Sequence, residues 1–407
     1  MIPEVRAKIE HIQLRSISEG YKKSKVGVIP DAWCCYQIHE CLSICNYERK
    51  PISEDVRKTI PGPYPYYGPT QAQGYIATYE SEGPAVLIGE DGDHFLKYKN
   101  QEMTMYVDGK YTVNNHAHVL RGTELCETKW FYYAYQHKSL FDAITRQGAG
   151  RYKLTKEALI KLSLQCPPIE EQKKIISILN TQDKVIKLKE KRLAEKQRQK
   201  KYLMQQLLTG KKRLPGFYGA WSFPKAKELF QSVSDKDHNG DLAVLSSTQD
   251  RGIVPRDEVD IDIKYDACSL ANYKKVSKGN FVISLRSFQG GIEYSTYTGL
   301  VSPAYTVLSS RKEISDGYYK QFFKSTDYIN RLNVAVYGIR DGKQISYEDF
   351  GRLRIPYPPI KEQDAIAEVL STADHEIDLL QQDIEQEKQK KKALMQLLLT
   401  GIVRVKT

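Results

Sequence analysis

Two stretches of the chain carry side chains suited to reading the edge of a nucleic-acid base. In PYPYYGPTQAQGYI (Pro63 to Ile76), Tyr66, Tyr67, Thr70, Gln71 and Gln73 are interleaved with glycines, so planar hydrogen-bonding groups sit where backbone can approach closely. SLRSFQGGIEYS (Ser284 to Ser295) offers Arg286, Ser287 and Gln289 in the same setting. Arg matches guanine O6 and N7, and Asn or Gln matches adenine N6 and N7, which are the acceptor and donor patterns of the major groove. Asn114, Asn115 and His116 in NNHAHVL, and Tyr337, Arg340 and Lys343 around GIRDGKQ, add further groups of these types. The competing reading is a set of Gly-rich turns with incidental polar residues; residue types alone leave the two open. Catalytic motifs are missing. GIRDGKQ has the wrong spacing for a phosphate-binding loop and lacks its Ser or Thr, and no glycine fingerprint follows a strand.

The elements that must position these groups are set by a duplication. Residues 167 to 210, PPIEEQKKIISILNTQDKVIKLKEKRLAEKQRQKKYLMQQLLTG, return 191 residues later as PPIKEQDAIAEVLSTADHEIDLLQQDIEQEKQKKKALMQLLLTG, residues 358 to 401, with 20 of 44 positions identical and no gap. Each copy reads as one long helix. Pro168 and Pro359 stand where a missing N–H is harmless, Glu171 and Glu362 fall in the first turn, and Gly210 and Gly401 close the helix. A heptad seam runs through Ile176, Leu179, Ile186, Leu193, Met204 and Leu207, and through Leu370, Ile377, Ile384, Met395 and Leu398. Polar residues at Asp183, Glu190, Gln197, Asp374, Gln381 and Lys388 interrupt it. The first helix is basic between 184 and 201, and the window 375 to 392 of the second is richer in acids, which favours pairing of the two copies. Short connections then require an antiparallel pair.

The segments before the helices also correspond. Residues 25 to 166 and 211 to 357 alternate short apolar runs (PAVLIG, AHVL, NFVISLRS, AYTVLSS) with Gly, Pro and Asn turns, as β-rich units do, with helical stretches near 127 to 145 and 155 to 161. Aligning Trp33 with Trp221 places VNNHAHVL (from Val113) on VSPAYTVL (from Val301). Residues 1 to 24 form a polar prelude with a helix expected around Val5 to Ile17. Its SEGYKKSKVGVIPDAW echoes LTGKKRLPGFYGAW, so it should imitate a helix end and dock where the second helix finishes.

The same alignment tests the metal-ligating residue types. Cys34, Cys35, Cys41 and Cys45 lie near His39, but their spacing fits no zinc pattern. Cys35, Cys41 and Cys45 fall opposite Phe223, Leu229 and Val233, so buried small hydrophobes are the better account. His116 and His118 share one strand face, yet Ala304 and Thr306 stand at those places in the second copy. Loop hydrogen bonding or core packing is therefore expected of them.

In composition, 61 Lys and Arg outnumber 50 Asp and Glu, a net charge of +11 that points toward polyanions. No apolar run reaches the roughly 18 residues of a membrane span, and MIPEVRAKIEHIQ lacks a signal-peptide core, so a cytoplasmic protein without a membrane partner is expected.

Taken in order, VGVIPDAW, YYGPTQAQGYI, LIGEDG, NNHAHVL, LPGFYGAW, GNFVISLRSFQGGIEYS, GLVSPAYTVL and both PPI-led helices make the chain resemble the specificity (S) subunit of type I restriction-modification systems over essentially its whole length. The resemblance implies an α+β fold. An N-terminal segment (1–24) precedes target-recognition domains at 25–166 and 211–357, separated by long antiparallel helices at 167–210 and 358–407 that form a coiled-coil rod with an internal pseudo-twofold repeat. It implies a non-catalytic subunit that binds a bipartite, asymmetric double-stranded DNA target, one half-site per domain. Two modification subunits and the restriction subunits would be its partners, carrying S-adenosylmethionine, ATP and magnesium; the chain itself would hold no cofactor. An enzyme with an unrecognised nuclease or methyltransferase site and a purely architectural coiled coil are the competing classes. The first lacks motifs, and the second leaves the Arg, Gln and Tyr loops unexplained.

Overall fold

The structure is a computed structural model that describes residues 19–147, 151–249, 251–259, 267–335 and 345–406. The helix expected around Val5 to Ile17 lies outside the described residues. The chain forms two compact units, one of residues 1–188 with 384–407 and the other of residues 189–383. Compact packing therefore divides each long helix near its middle instead of setting the helices apart.

In the first unit a four-stranded sheet runs in the order Leu42–Ile44, Ala117–Gly122, Ala85–Gly89, Thr104–Val107, all antiparallel. Ala85–Gly89 is buried at every residue, as its unbroken apolar run requires of a strand covered on both faces. A second sheet, in the order Ala72–Ile76, Pro61–Tyr67, Lys110–Val113, Ser81–Glu82, carries the tyrosine-rich stretch. The second unit repeats the first sheet as Phe230–Val233, Thr306–Ser310, Phe281–Ile283, Glu293–Tyr294. Short helices fall at matching places. Ile38–Cys41 and Ala226–Leu229 each have a Glu at N3 (Glu40, Glu228) reaching back to the backbone N–H at the helix start. Lys156–Lys161 and Tyr347–Arg352 are each capped by a hydroxyl, Thr155 on Ala158 N at 3.2 Å and Ser346 on Asp349 N at 3.1 Å. The expected helix over 127 to 145 is shorter, Thr128–Tyr135.

The long helices span Ile169–Leu207 and Ile360–Leu399. Gly210 and Gly401 adopt φ of 71° and 73°, the left-handed conformation that ends a helix without a Cβ clash. Within the first unit Gln182 donates to Glu387 and Lys391 pairs with Asp183 at 2.7 Å. Within the second, Lys189 pairs with Asp383 at 2.8 Å, Lys196 with Glu376 at 2.6 Å, and Lys200 with Asp374. In the second unit rising numbers on one helix meet falling numbers on the other, and in the first Gln165, just before the first helix, donates to Leu399 O at 3.0 Å while Gln182 reaches Glu387, so the pairing is antiparallel in each unit. The seam departs from strict heptads. Ile175 and Gln182 are buried in it, while Glu190, Gln197, Gln381 and Lys388 are exposed. A straight helix drifts about 20° per heptad against a 3.5-residue repeat, which moves the contacting positions off the counted ones.

The repeated EQ of PPIxEQ has a structural role in both units. Glu171 is 1% exposed and accepts from Arg404 through two bonds of 2.7 Å and from Trp33 Nε1 at 3.1 Å. Glu362 is 0% exposed and accepts from Arg213 at 2.5 and 2.6 Å and from Trp221 Nε1 at 2.9 Å. Burial alone would raise the Glu171 carboxyl, but the Arg404 guanidinium and the Trp33 N–H outweigh it and hold the group below the usual carboxylate range. Gln172 accepts from Glu127 N and donates to Pro167 O, each at 2.9 Å; Gln363 does the same with Ser315 N at 2.9 Å and Pro358 O at 2.8 Å. The described part of the N-terminal segment, from residue 19, docks as expected at the end of the second helix. Tyr21 donates to Gly401 O at 2.9 Å, and a Cβ on Gly401 would meet Pro30 at 2.4 Å.

Candidate nucleic-acid interface

In the first unit two of the singled-out stretches converge. Strands Pro61–Tyr67 and Ala72–Ile76 form a hairpin whose tip is closed by Gly68 N donating to Gln71 O at 2.9 Å. Gln73 folds over Gly68, where a Cβ would lie 2.4 Å from its Nε2, so this close approach needs the glycine. The parallel strand Lys110–Val113 then delivers Asn114, whose N–H donates to Tyr67 O at 2.9 Å and whose side chain donates to Gln73 Oε1 at 3.3 Å. Asn115 and Gln71 are exposed beside this contact, and Thr70 and Tyr67 are half-buried. His116, also half-buried, meets Asp91 at 2.8 Å through Nδ1. Arg49 donates to the Asn115 carbonyl at 3.1 Å and to Glu90 at 2.7 Å, anchoring the turn.

Two residues of this group are corrected by their surroundings. Tyr66 is 1% exposed, and its hydroxyl accepts from Ile52 N at 2.9 Å and donates to Lys50 O at 3.2 Å. Asn114 is buried, with its oxygen taken by His116 N at 2.8 Å. Both shape the turn and offer no free edge to a ligand. His118 is likewise a core residue, with Nδ1 accepting from Asn46 at 2.9 Å and Nε2 donating to Leu154 O at 2.8 Å. Burial pushes its imidazole pKa down.

In the second unit Arg286 precedes the short helix Ser287–Gly290, and Arg286 and, within the helix, Gln289 are exposed. Ser287 is corrected to an internal role, since it is fully buried and its hydroxyl accepts from Ser284 N at 2.8 Å. Gly291, at φ 82°, passes so close to Phe323 that a Cβ would lie 2.0 Å from the carbonyl oxygen. Gly290 packs on Gln249 of the neighbouring hairpin, and Lys324 ties the two together through Gly290 O at 3.0 Å and Gln249 O at 3.2 Å. Tyr337, Arg340 and Lys343 lie outside the described residues.

The fold also brings up residues that sequence reading missed. Gln249 and Arg251, exposed on the hairpin of Leu245–Thr248 and Gly252–Pro255, join Arg286 and Gln289. In the first unit the hairpin of Thr145–Gln147 and Arg151–Lys153 presents exposed Arg146 and Arg151. It lies beside the His116 turn because Tyr152 O accepts from Gly92 N at 3.0 Å. Both hairpins carry Arg and Gln around Gly, the pattern that singled out the other stretches. Tyr47, 84% exposed, and Tyr75, 62% exposed, offer open aromatic faces; Tyr75 belongs to the tyrosine-rich stretch, whereas Tyr47 stands alone in sequence and gives no signal. No helix among the described residues is long and apolar enough to cross a membrane.

Comparison with known proteins gives a consistent result. The family model of the type I restriction modification DNA specificity domain matches twice, at residues 30–198 and 220–389. The specificity subunit of the type I restriction enzyme MjaVIII from Methanocaldococcus jannaschii is 23% identical over 418 residues, covering 95% of this chain and 97% of its own. Among solved structures, the S subunit of a type I restriction-modification system from M. genitalium superposes with a TM-score of 0.59 at 12% identity, covering 96% of this chain and 100% of that one. A chain from a structure of type I R-M complex assembly and conformational transition gives 0.53 at 16% identity, covering 92% and 99%. At these identities the structural matches speak for the fold.

Proposed function

Because the chain belongs to the type I restriction modification DNA specificity domain family, with two matches that together span most of its length, we propose that it is the DNA-reading subunit of a type I complex and does no chemistry itself. The observation that carries this reading is one exposed cluster of base-matching side chains in each unit. Exposed Gln71, Gln73 and Asn115, beside half-buried His116, make up the first, and Arg286, Gln289, Gln249 and Arg251 the second, each tied to buried scaffold. The two clusters differ in side chains, so each unit would read a different half of a split, asymmetric double-stranded target. The long helices would recruit two modification subunits in the cytoplasm, with restriction subunits joining them. S-adenosylmethionine, ATP and magnesium would act on those partners.

The test combines the purified chain with a modification subunit, a labelled methyl donor and genomic DNA. Methylation at a split sequence is expected, with none from either protein alone. Methyl transfer or cleavage by this chain alone would overturn the reading. Binding that weakens steeply with salt separates it from a purely architectural coiled coil, which would not bind DNA at any salt.

A further inference from the structure

Three cysteines that are far apart in sequence meet in the core of the first unit. Cys41 ends the helix Ile38–Cys41, Cys126 lies in the turn before the helix Thr128–Tyr135, and Cys166 ends the strand Ser163–Cys166. Their Sγ atoms all lie within 4.8 Å of one another, and the residues are 0%, 0% and 3% exposed. All three are free thiols.

The second unit shows what this place needs for packing alone. Leu229 ends the matching helix, as Cys41 does. Ile314 precedes Ser315, whose N–H meets Gln363 as that of Glu127, after Cys126, meets Gln172. Tyr357 bridges Ser222 as Cys166 pairs with Cys34. Ordinary hydrophobic residues therefore fill these positions in one copy, and three thiols fill them in the other, in a chain that has only seven cysteines.

We propose that Cys41, Cys126 and Cys166 form a three-thiolate site for a soft, thiophilic metal ion of the Cu(I) class. Metal–sulfur bonds near 2.3 Å put the sulfurs of a planar three-coordinate site about 4 Å apart, so a contraction of less than about 1 Å closes the cluster on an ion. Thiolate-only ligation selects soft ions. Among the described residues no fourth Cys, His, Asp or Glu joins the group, which disfavours the four-coordinate geometry of structural zinc. His39, two residues from Cys41, is exposed and held by Ile160 O at 3.0 Å. Cys166 leads directly into Pro167 and the first long helix, so a bound ion would pin that junction.

The experiment uses the full chain carrying Cys34→Ala and Cys35→Ala, which removes the more accessible thiols beside the cluster. The reduced protein is titrated anaerobically with Cu(I) against a chromophoric Cu(I) chelator. One ion per chain is expected to be retained, with a thiolate-to-metal charge-transfer band and a raised melting temperature. Adding Cys126→Ser, or separately Cys126→Ala, should abolish retention, band and metal-induced shift while the circular dichroism spectrum is kept. Two variants are used so that misfolding of one still leaves the other to decide. Failure of the parent to retain Cu(I), or retention unchanged in a folded Cys126 variant, would return the cysteines to the role of plain apolar filling.

Discussion

At Glu171 and Glu362 the two units do the same thing with the same residue types, whereas at Tyr67–Gln73 and Arg286–Gly291 they share little beyond glycine and glutamine. The first pair of sites is buried and over-determined. A carboxylate out of water needs its guanidinium, and the N–H groups of Trp33 and Trp221 add a further donor to each, so a change in one partner strands the others. The second pair sits on turns whose backbone is held by glycines and internal hydrogen bonds, leaving the outward side chains free to differ. A duplicated protein can thus keep its joints and vary its reading surfaces.

The comparison breaks most visibly at the joints. Arg404→Ala leaves Glu171 buried with only Trp33 Nε1 and a long 3.4 Å bond from Val405 N, and should destabilise the first unit by about 3 kcal/mol in urea melts; Arg213→Ala should do the same to the second. Markedly unequal losses would mean the two joints are not equivalent. The sign of the pH effect follows from the lowered carboxyl of Glu171. Its contribution is complete above the ordinary glutamate pKa of about 4.3 and is lost as pH falls through the lower folded-state value.

The reading surfaces come next. Arg286→Ala should weaken binding by about 1–3 kcal/mol and relax sequence preference in one half of the target only, measured by binding to DNA libraries with each half randomised in turn. Uniform weakening on all sequences would make Arg286 a phosphate contact.

Buried histidine separates the units in a smaller way. His118 is held neutral in the core, while the second unit has Thr306 at the matching place. A lowered folded-state pKa means that the unfolded chain takes up the proton first. The stability this imidazole contributes is therefore complete above about pH 6.5 and declines as pH falls from there, no more steeply than about 1.4 kcal/mol per pH unit. Melts at neutral and mildly acidic pH should show this loss in the first unit and a smaller one in His118→Thr.

The sequence made some features legible and hid others for definite reasons. Helix bounds, antiparallel pairing and the docking of the N-terminal segment at the end of the second helix could all be read because the repeat carries its own end signals. The burial of Tyr66 is hidden because a Gly- and Pro-rich stretch has the composition of a loop, whereas it forms a strand with Tyr66 turned into the core. Asn114 and Ser287 were misread because a side chain that hydrogen-bonds its own turn has the same composition as one that meets a ligand. The meeting of Cys41, Cys126 and Cys166 depends on three separate elements packing together, and no local spacing announces it.

The smallest expected difference lies along the helix pair itself. Lys391 is 14% exposed and meets Asp183, which also accepts from Tyr133 at 2.6 Å; Lys189 and Asp383 are 26% and 45% exposed. Water and salt screen the second pair more effectively than the first, so the two should differ although their distances are alike. Lys391→Ala is expected to cost about 1 kcal/mol with weak dependence on salt. Lys189→Ala should cost a few tenths, on the order of 0.3 kcal/mol, and that should vanish in high salt. Urea melts of both variants in low and high salt would decide it. Equal, salt-insensitive losses would show that local burial does not grade these pairs and that the helices act as one uniform electrostatic seam.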